Sequence, residues 1–505
     1  MQSTSIHNFL DKRHSITFTL GWSTFIVCLS ALQFGYHLAE LNAPADVLSC
    51  NFKKPGPLPS YNDTLWSKLH FNQCINMSQD GVALITGMFT AGGLFASLVL
   101  GTTSIANTYG RKQICTVAAV FYFIGSFTMS FSNTNLQLNL GRFLCGIGAG
   151  SSLIISPILI NELAPHNHRG LLGSLMQLAV SIGIFFAQVV SYFYSNDQQW
   201  RVIFIVAGVV GLIQFGGLFS VPESPKWIVT NKGDSTEATH ILESLRTDHS
   251  TVNYEIEHWQ QLSRNTTVPT ETSSLLSLES AASFEASSIS TKDFMFDGKY
   301  RNQLIAVSLL MVGQQLAGVN AITYYGVNML NDLFEYKHPG GAGNLVLALS
   351  CLFSSVNVLS SMVVAPLIDR VGRRPLILTS TVSCAVFTAI LAIGIKHKFD
   401  ITVVTACLGF IFSWGIGLGP IPFLMISEFT PHDVVATAQS IGTVMNWTSN
   451  MLLAMFFPML NGILGSGYIF WLFTVTCALF SIGFYYNLPE TKGFKHSNDV
   501  WENFK

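Results

Sequence analysis

Apolar residues run through this chain in long stretches separated by short polar interruptions; positions 203–221, 304–311, 345–367 and 469–486 are examples. A helix needs about 20 such residues to cross the hydrocarbon core of a bilayer, and only a helix or closed barrel satisfies its own backbone there. Hydropathy and its interruptions predict twelve helical crossings: 16–39, 81–101, 113–132, 138–160, 171–194, 202–221, 302–330, 345–368, 376–395, 402–426, 437–460 and 468–488. The tenth contains Gly415 to Pro422, Gly-Ile-Gly-Leu-Gly-Pro-Ile-Pro. Missing backbone donors there predict a broken helix and a hinge.

Composition agrees with this pattern. Of 505 residues, 49% are apolar and 11% charged, whereas a soluble domain carries about a quarter charged residues. Most of the surface therefore faces lipid. The net charge of -2 gives no reason to expect nucleic acid. An even number of crossings puts both termini on one side, and basic residues choose that side. With cytosolic termini, 18 of the 26 Lys and Arg are cytosolic, seven lie opposite, and one, Arg142, is in the membrane. Without the two long loops the balance is 11 against four, so the positive-inside rule predicts cytosolic termini. The first 15 residues are polar with no cleavable apolar core, so no secretory signal is expected. The loop 45–80 then faces away from the cytosol and holds two glycosylation acceptors, Asn62-Asp63-Thr64 and Asn76-Met77-Ser78. It also holds two of the nine cysteines, Cys50 and Cys74. An oxidising lumen permits a disulfide between them, and the sequence leaves bonded and free states both open.

Three pairs of polar markers recur in step. Tyr109-Gly110-Arg111-Lys112 answers to Val371-Gly372-Arg373-Arg374, Glu162-Leu163-Ala164-Pro165-His166 to Glu428-Phe429-Thr430-Pro431-His432, and Pro222-Glu223-Ser224-Pro225 to Pro489-Glu490-Thr491. The offsets are 262, 266 and 267 residues. Chance matches would not keep this spacing, so two six-helix halves share one architecture, with a cargo site expected at mid-membrane between them. Glycine permits the tight turn, and arginine there can bridge carboxylates and helix-end carbonyls. Arg111, Glu162, Arg169, Arg373 and Glu428 are the expected latch of the cytosolic face; setting topology by positive charge is the simpler alternative.

These motifs resemble the sugar porter family of the major facilitator superfamily over nearly the whole chain. Gly141-Arg142-Phe143, Pro222 to Trp227, Gln314-Gln315-Leu316-Ala317-Gly318-Val319-Asn320 and Pro489 to Gly493 carry the resemblance. Leu41-Asn42-Ala43-Pro44, Gly419-Pro420-Ile421-Pro422 and Asn446-Trp447-Thr448-Ser449-Asn450 bring it closer to the glucose facilitators and their fungal vacuolar relatives. It implies an all-α membrane protein of twelve transmembrane helices in two pseudo-symmetric six-helix bundles, the major facilitator fold. The expected division is a cytosolic N-terminus (1–15), an N-terminal half (16–221), a cytosolic linker with short helices and a Ser-rich disordered tract (222–300), a C-terminal half (301–488) and a cytosolic C-terminus (489–505).

Amides inside a bilayer need partners. Each hydroxyl of a sugar both donates and accepts, and so do Asn and Gln, without charge. Gln177, Gln314, Gln315, Asn320, Asn357 and Asn446 fall within predicted crossings and match positions where sugar porters contact sugar. For any one amide an interhelical hydrogen bond is the simpler reading; the set of six favours a hexose-sized neutral cargo. The resemblance adds Phe423 and Trp447 as covers for the sugar ring and Tyr324 and Tyr325 as an extracytosolic gate. Departures from the glucose facilitators are Gly415 where they carry Glu, Phe423 for Trp, Val435 for Arg, and Thr108 for the Arg before the first Gly-Arg turn.

Gly35-Tyr36-His37 places His where proton-driven members carry Asp and facilitators Asn. Histidine changes charge near physiological pH, and Arg142 matches the family Arg that partners that Asp. With no anion expected beside them, and Glu40 expected near the solvated mouth, facilitated diffusion is the expected mode and coupling through His37 and Arg142 the alternative. Glu271, Leu275 and Leu276 in the Ser-rich tract fit an acidic dileucine signal for a clathrin-type adaptor, which favours a vacuolar or lysosome-like membrane. No nucleophile–base pair, metal cluster or nucleotide loop is apparent, so neither enzyme nor cofactor is expected. The rival reading is a non-transporting sugar sensor or trafficking accessory on the same fold.

Overall fold

The computed structural model describes the chain except residues 1–14, 51–60, 103–104, 166–167, 249–250, 268–290, 336–341, 432–433, 466, 495–496 and 505. Every regular element among the described residues is helical. Six long helices form the first half: α1 (Phe18–Ala39), α2 (Gln79–Thr102), α3 (Arg111–Ser130), α4 (Asn135–Leu163), α5 (Arg169–Tyr194) and α6 (Arg201–Leu218). Two short amphipathic helices follow, α7 (Ser235–Leu245) and α8 (Val252–Thr267). The second half comprises α9 (Arg301–Leu316), α10 (Val319–Glu335), α11 (Ala342–Val371), α12 (Arg373–Lys396), α13 (Asp400–Gly415), α14 (Ile421–Phe429), α15 (Val435–Leu464) and α16 (Tyr468–Asn487), with a terminal turn α17 (Ser497–Glu502).

All twelve expected crossings are present, and two of them are broken. The expected break at Gly415 to Pro422 separates α13 from α14. The seventh crossing, read from sequence as one helix, divides into α9 and α10 at Gly318, whose φ of 97° lies in the left-handed region. A Cβ there would meet the Phe473 ring at 2.8 Å, so only glycine fits.

The repeat seen in sequence reappears in packing. In the first half α2 and α3 pack on α4, α1 on α5, and α3 on α6. In the second half α11 and α12 pack on α13, α9 on α15, and α12 on α16, which is the same scheme. The halves meet along two equivalent seams, α2 against α15 and α5 against α11. Small residues allow close approach without a hydrophobic drive between helices: a Cβ on Gly183 of α5 would lie 2.0 Å from the Leu32 carbonyl of α1.

One end of the bundle carries the loop after α1. Residues 40–44 turn inward, with Leu41, Ala43 and Leu48 buried against Ile75 and Met77. The Ile75 amide donates to the Leu48 carbonyl at 2.9 Å, and Cys50 is disulfide-bonded to Cys74. Asn62 and Asn76 are exposed on this disulfide face. The opposite, basic face carries the marker turns. There α7 and α8 form a small core of their own around Trp227, Leu242, Ile256 and Trp259. Buried Arg246 ties it to the bundle, donating to the Leu163 carbonyl at 2.8 Å and pairing with Glu255 at 2.9 Å.

Candidate functional site

The two broken crossings lie side by side, and their breaks create the site. Breaking α13 frees backbone carbonyls inside the bundle, where they need donors. Gln314, on the last turn of α9, supplies them: its Nε2 donates to the Leu418 and Gly419 carbonyls at 2.8 and 2.9 Å. Its Oε1 accepts from Asn446 Nδ2 of α15 at 2.7 Å. Asn446 Oδ1 in turn accepts from Gln315 Nε2 at 3.0 Å, and Gln315 Oε1 accepts from Asn320 Nδ2 at the start of α10. Four of the six amides chosen from sequence are thus buried in one unbroken hydrogen-bonded chain. These four amides bond to one another and to the broken backbone of the tenth crossing.

Asn357 of α11 is also buried, and its Oδ1 has no hydrogen-bond partner. It lies 3.6 Å from where a Cβ on Gly415 would stand. That same point is 2.0 Å from Ser360 Oγ, so Ser360 of α11 fills the space that a larger residue at 415 would need. The glycine is a packing requirement of this chain. Gln177 and Phe423 are not drawn into the amide chain. Gln177 is half-buried on α5, one turn from Ser181, whose hydroxyl meets Ser361 of the other half at 2.7 Å. Phe423 is 38% exposed on α14.

Trp447 stands beside the amide chain at the seam. Its ring meets Phe34 and Phe89 of the first half edge-on, with centroids 5.9 and 6.1 Å away, and covers Gly93, where a Cβ would lie 2.6 Å from it. Toward the disulfide face the Tyr324 hydroxyl donates to Asn450 Oδ1 at 3.1 Å and that of Tyr325 to the Ala454 carbonyl at 2.6 Å. Asn42, just beyond α1, accepts from the Val327 amide of α10 at 3.0 Å, closing this end across the two halves.

His37 and Arg142 are fully buried in the first half, and the third member of their cluster is Glu40, also 0% exposed. Arg142 Nη1 donates to Glu40 Oε1 at 2.7 Å and to the His37 carbonyl at 2.8 Å, and His37 Nδ1 lies 2.8 Å from the same carboxylate oxygen. The expectation that Glu40 sits at a solvated mouth is wrong. It is wholly buried, and beyond it Leu48 is held by the Ile75 amide. The spacing of three residues from His37, one helical turn, was the sequence signal for this pairing.

On the basic face Arg111 pairs with Glu162 at 3.1 Å and Arg373 with Glu428 at 2.9 Å, equivalent bridges within each half. Arg169 is exposed and donates to the Ala164 carbonyl at 3.5 Å. Two further carboxylates were seen as repeat markers only, without a role. Glu223 Oε1 accepts from the Lys112 amide at 2.9 Å, and Glu490 accepts from the Arg373 and Arg374 amides at 3.0 Å. They cap α3 and α12, where a negative charge meets unpaired N–H groups. Glu271, Leu275 and Leu276 lie outside the described residues. Among the described residues no cluster of three His, Cys, Asp or Glu side chains could hold a metal ion.

The arrangement has two homologous bundles, paired seams, two broken crossings and uncharged amides beside an aromatic ring. The model of the family described as "Sugar (and other) transporter" matches residues 23–500. A probable metabolite transport protein of Saccharomyces cerevisiae is 34% identical over 497 residues, covering 98% of this chain and 97% of that one. Vacuolar protein sorting-associated protein 73 of the same yeast is 32% identical over 488 residues, covering 95% and 96%. Among solved structures, the proton:xylose symporter XylE bound to 6-bromo-6-deoxy-D-glucose superposes with a TM-score of 0.72 at 20% identity, covering 96% of this chain and 99% of that one. Matched almost end to end in sequence and in fold, the chain belongs to the sugar porter family of the major facilitator superfamily.

Proposed function

We propose that this protein carries a hexose-type neutral sugar across a membrane by alternating access between its two halves. The observation that carries the reading is the amide chain from Gln314 through Asn446 and Gln315 to Asn320, buried where two helices break and beside Trp447. Each amide–amide bond can be exchanged for an amide–hydroxyl bond with no change in the number of satisfied donors, so a polyol can enter without stranding a buried polar group. An ion would leave its charge uncompensated there. Asn357, with its unpartnered carbonyl oxygen, offers one more acceptor, and the indole of Trp447 offers an apolar face to the sugar's C–H groups. Gln177 and Phe423 join the site only if the halves rearrange around cargo. Tyr324 and Tyr325 form the gate on one face, and the Arg111–Glu162 and Arg373–Glu428 bridges the latch on the other.

The basic face is taken as cytosolic and the disulfide face as lumenal, which suits the exposed glycosylation acceptors and an oxidising compartment. A vacuolar membrane is supported by the likeness to a protein named for vacuolar sorting and by the dileucine pattern at Glu271, Leu275 and Leu276. Transport proceeds at least as facilitated diffusion, with His37 and Arg142 as the place where a proton would couple.

The test is counterflow of labelled hexoses, pentoses and inositol by purified protein in liposomes, with Asn446→Ala alongside. Hexose-selective exchange that falls in the variant supports the reading; no exchange of any sugar removes it. The same likeness to a sorting-associated protein favours one second reading, a trafficking accessory. That reading predicts missorted vacuolar cargo on deletion and no sugar exchange.

A further inference from the structure

The two seams between the halves are equivalent in packing but not in chemistry. The marker offset of 266 residues carries Ser181 onto Trp447. At the α2–α15 seam the Trp447 ring closes against Gly93, whereas at the α5–α11 seam the Ser181 and Ser361 hydroxyls meet at 2.7 Å. From Ser181 toward the disulfide face α5 carries Gln188 and Ser191, and Ser195 follows its last turn. Each of these three has a side-chain oxygen that is buried without a hydrogen-bond partner; Gln188 is 3% exposed and Ser191 0%. We propose that Gln188 is a further specificity-determining contact for the sugar. With Asn357 it takes the hydroxyl edge of the ring at the polar seam, while Trp447 covers the C–H face at the other. The inference rests on the transport reading and deepens it.

Helical periodicity places Gln188. Seven residues make just under two turns, so Gln188 stands about 20° around α5 from Ser181 and about 10 Å further along it. The side of α5 that packs on α1 is a different one: a Cβ on Gly183 would lie 2.0 Å from the Leu32 carbonyl, and one on Gly35 2.0 Å from that of Val180. Just past α5, Asp197 accepts from Gln73 of the disulfide-face loop at 2.9 Å, which fixes the direction of the helix. α11 runs the opposite way and ends in the basic-face turn at Gly372. Its Ser350, Ser354, Asn357 and Ser361 are spaced as one helix face. Asn357, four residues before Ser361, lies about 6 Å nearer the disulfide face than the hydroxyl pair, so Gln188 stands only about 4.5 Å beyond it along the seam. Ile184, on the turn of α5 between Ser181 and Gln188, packs against the cluster that contains Trp447. This face of α5 therefore looks toward the same interior as the ring.

The unused oxygens give this face its meaning. A helical serine commonly donates to the carbonyl one turn back, and the serines around this seam do so: Ser181 to Gln177, Ser354 to Ser350 and Ser361 to Asn357. Ser191 makes no such bond, and Gln188 Oε1 and Asn357 Oδ1 accept from nothing. Buried polar groups are ordinarily satisfied, so two idle amide oxygens at neighbouring levels of one seam call for donors from outside the chain. Between its ends neither helix carries a charge: α5 has none after Arg169 and α11 none before Asp369. A bound cation would find no counter-charge on them, whereas the O–H groups of a neutral polyol need none. The sugar is thereby held with its hydroxyls toward α5 and α11 and its apolar face toward α15.

The experiment measures equilibrium binding of a hexose, and of monodeoxy analogues that each lack one hydroxyl, to purified full-length wild type and Gln188→Leu in detergent. In wild type, loss of the hydroxyl that meets Gln188 should weaken binding by about two- to tenfold, the worth of one neutral hydrogen bond. In Gln188→Leu the parent hexose should weaken by that factor, and the penalty at that one ring position should vanish while the penalties at the others remain. Leucine puts an apolar group where an oxygen is idle, so the melting temperature without sugar should be no lower than that of wild type. A lower one overturns the inference, since Gln188 would then support the fold. A variant that keeps every wild-type penalty, or loses affinity for all analogues by one common factor, also overturns it and leaves the transport reading intact. Wild type that neither binds nor exchanges any saccharide removes the transport reading and the inference with it.

Discussion

Asn446 occupies the middle of the amide chain, donating to Gln314 and accepting from Gln315. Asn446→Ala strands both neighbours in a buried setting, and an unsatisfied buried polar group costs about 1–3 kcal/mol. We expect a lower melting temperature in detergent and hexose exchange reduced by at least about tenfold, the equivalent of one lost charge-free hydrogen-bonding unit of about 1.4 kcal/mol; unchanged exchange would remove Asn446 from the cargo site. Gly415 makes a second prediction at this scale. A methyl there would stand 2.0 Å from Ser360 Oγ, so Gly415→Ala must push α11 away from α13. Overpacking of this kind costs about 1–3 kcal/mol. Adding Ser360→Gly should restore the melting temperature; failure to do so would mean that the two residues do not compete for one space. The residue types at these positions were legible in sequence, but their pairings were not. Glu40 was placed near water because its helix ends there, whereas it is buried against Arg142 and His37.

At the scale of elements, the marker turns owe their recurrence to a capping device. Gly372 has a φ of 106°, and a Cβ on it would lie 2.8 Å from Glu490 Oε2. Gly372→Ala must therefore both strain the backbone and displace the cap of α12, a combination expected to cost about 1–3 kcal/mol. Glu490→Gln keeps the shape and removes the charge, so its loss should be closer to the 0.3–1 kcal/mol, roughly, of a helix-dipole interaction. Thermal melting of both variants checks the order; a larger loss for Glu490→Gln would overturn it. The break between α13 and α14 was legible because glycine and proline leave a local mark. The break between α9 and α10 was not, since a single Gly318 within an apolar stretch reads as a tolerated interruption. It is the Phe473 ring, 155 residues downstream by the difference of their numbers, that makes glycine obligatory there.

At the scale of the whole molecule, the halves are joined by two seams and a few polar clasps: Asn42 to Val327, and Ser181 to Ser361. The first closes the disulfide face. Asn42→Ala should loosen it, and a cysteine at Val327, a position now 2% exposed, should then react faster with a membrane-impermeant maleimide added from that face. Equal rates with and without the substitution would show that the clasp does not hold the gate.

The amino-acid order alone determined the number of crossings, the duplication, the predominance of lipid-facing surface and the family, because each is written locally, in runs of about 20 apolar residues or in short motifs at constant offset. It also named the amides, the aromatic ring and the basic-face arginines. What only the tertiary structure decided is which of these groups meet. The amides bond to one another, Ser360 fills the space beside Gly415, Glu223 and Glu490 cap helices far away in sequence, and Glu40 joins His37 to Arg142. Hydropathy is a property of each segment, whereas a hydrogen bond between distant segments depends on the angle and depth at which helices pack. No local pattern records that geometry.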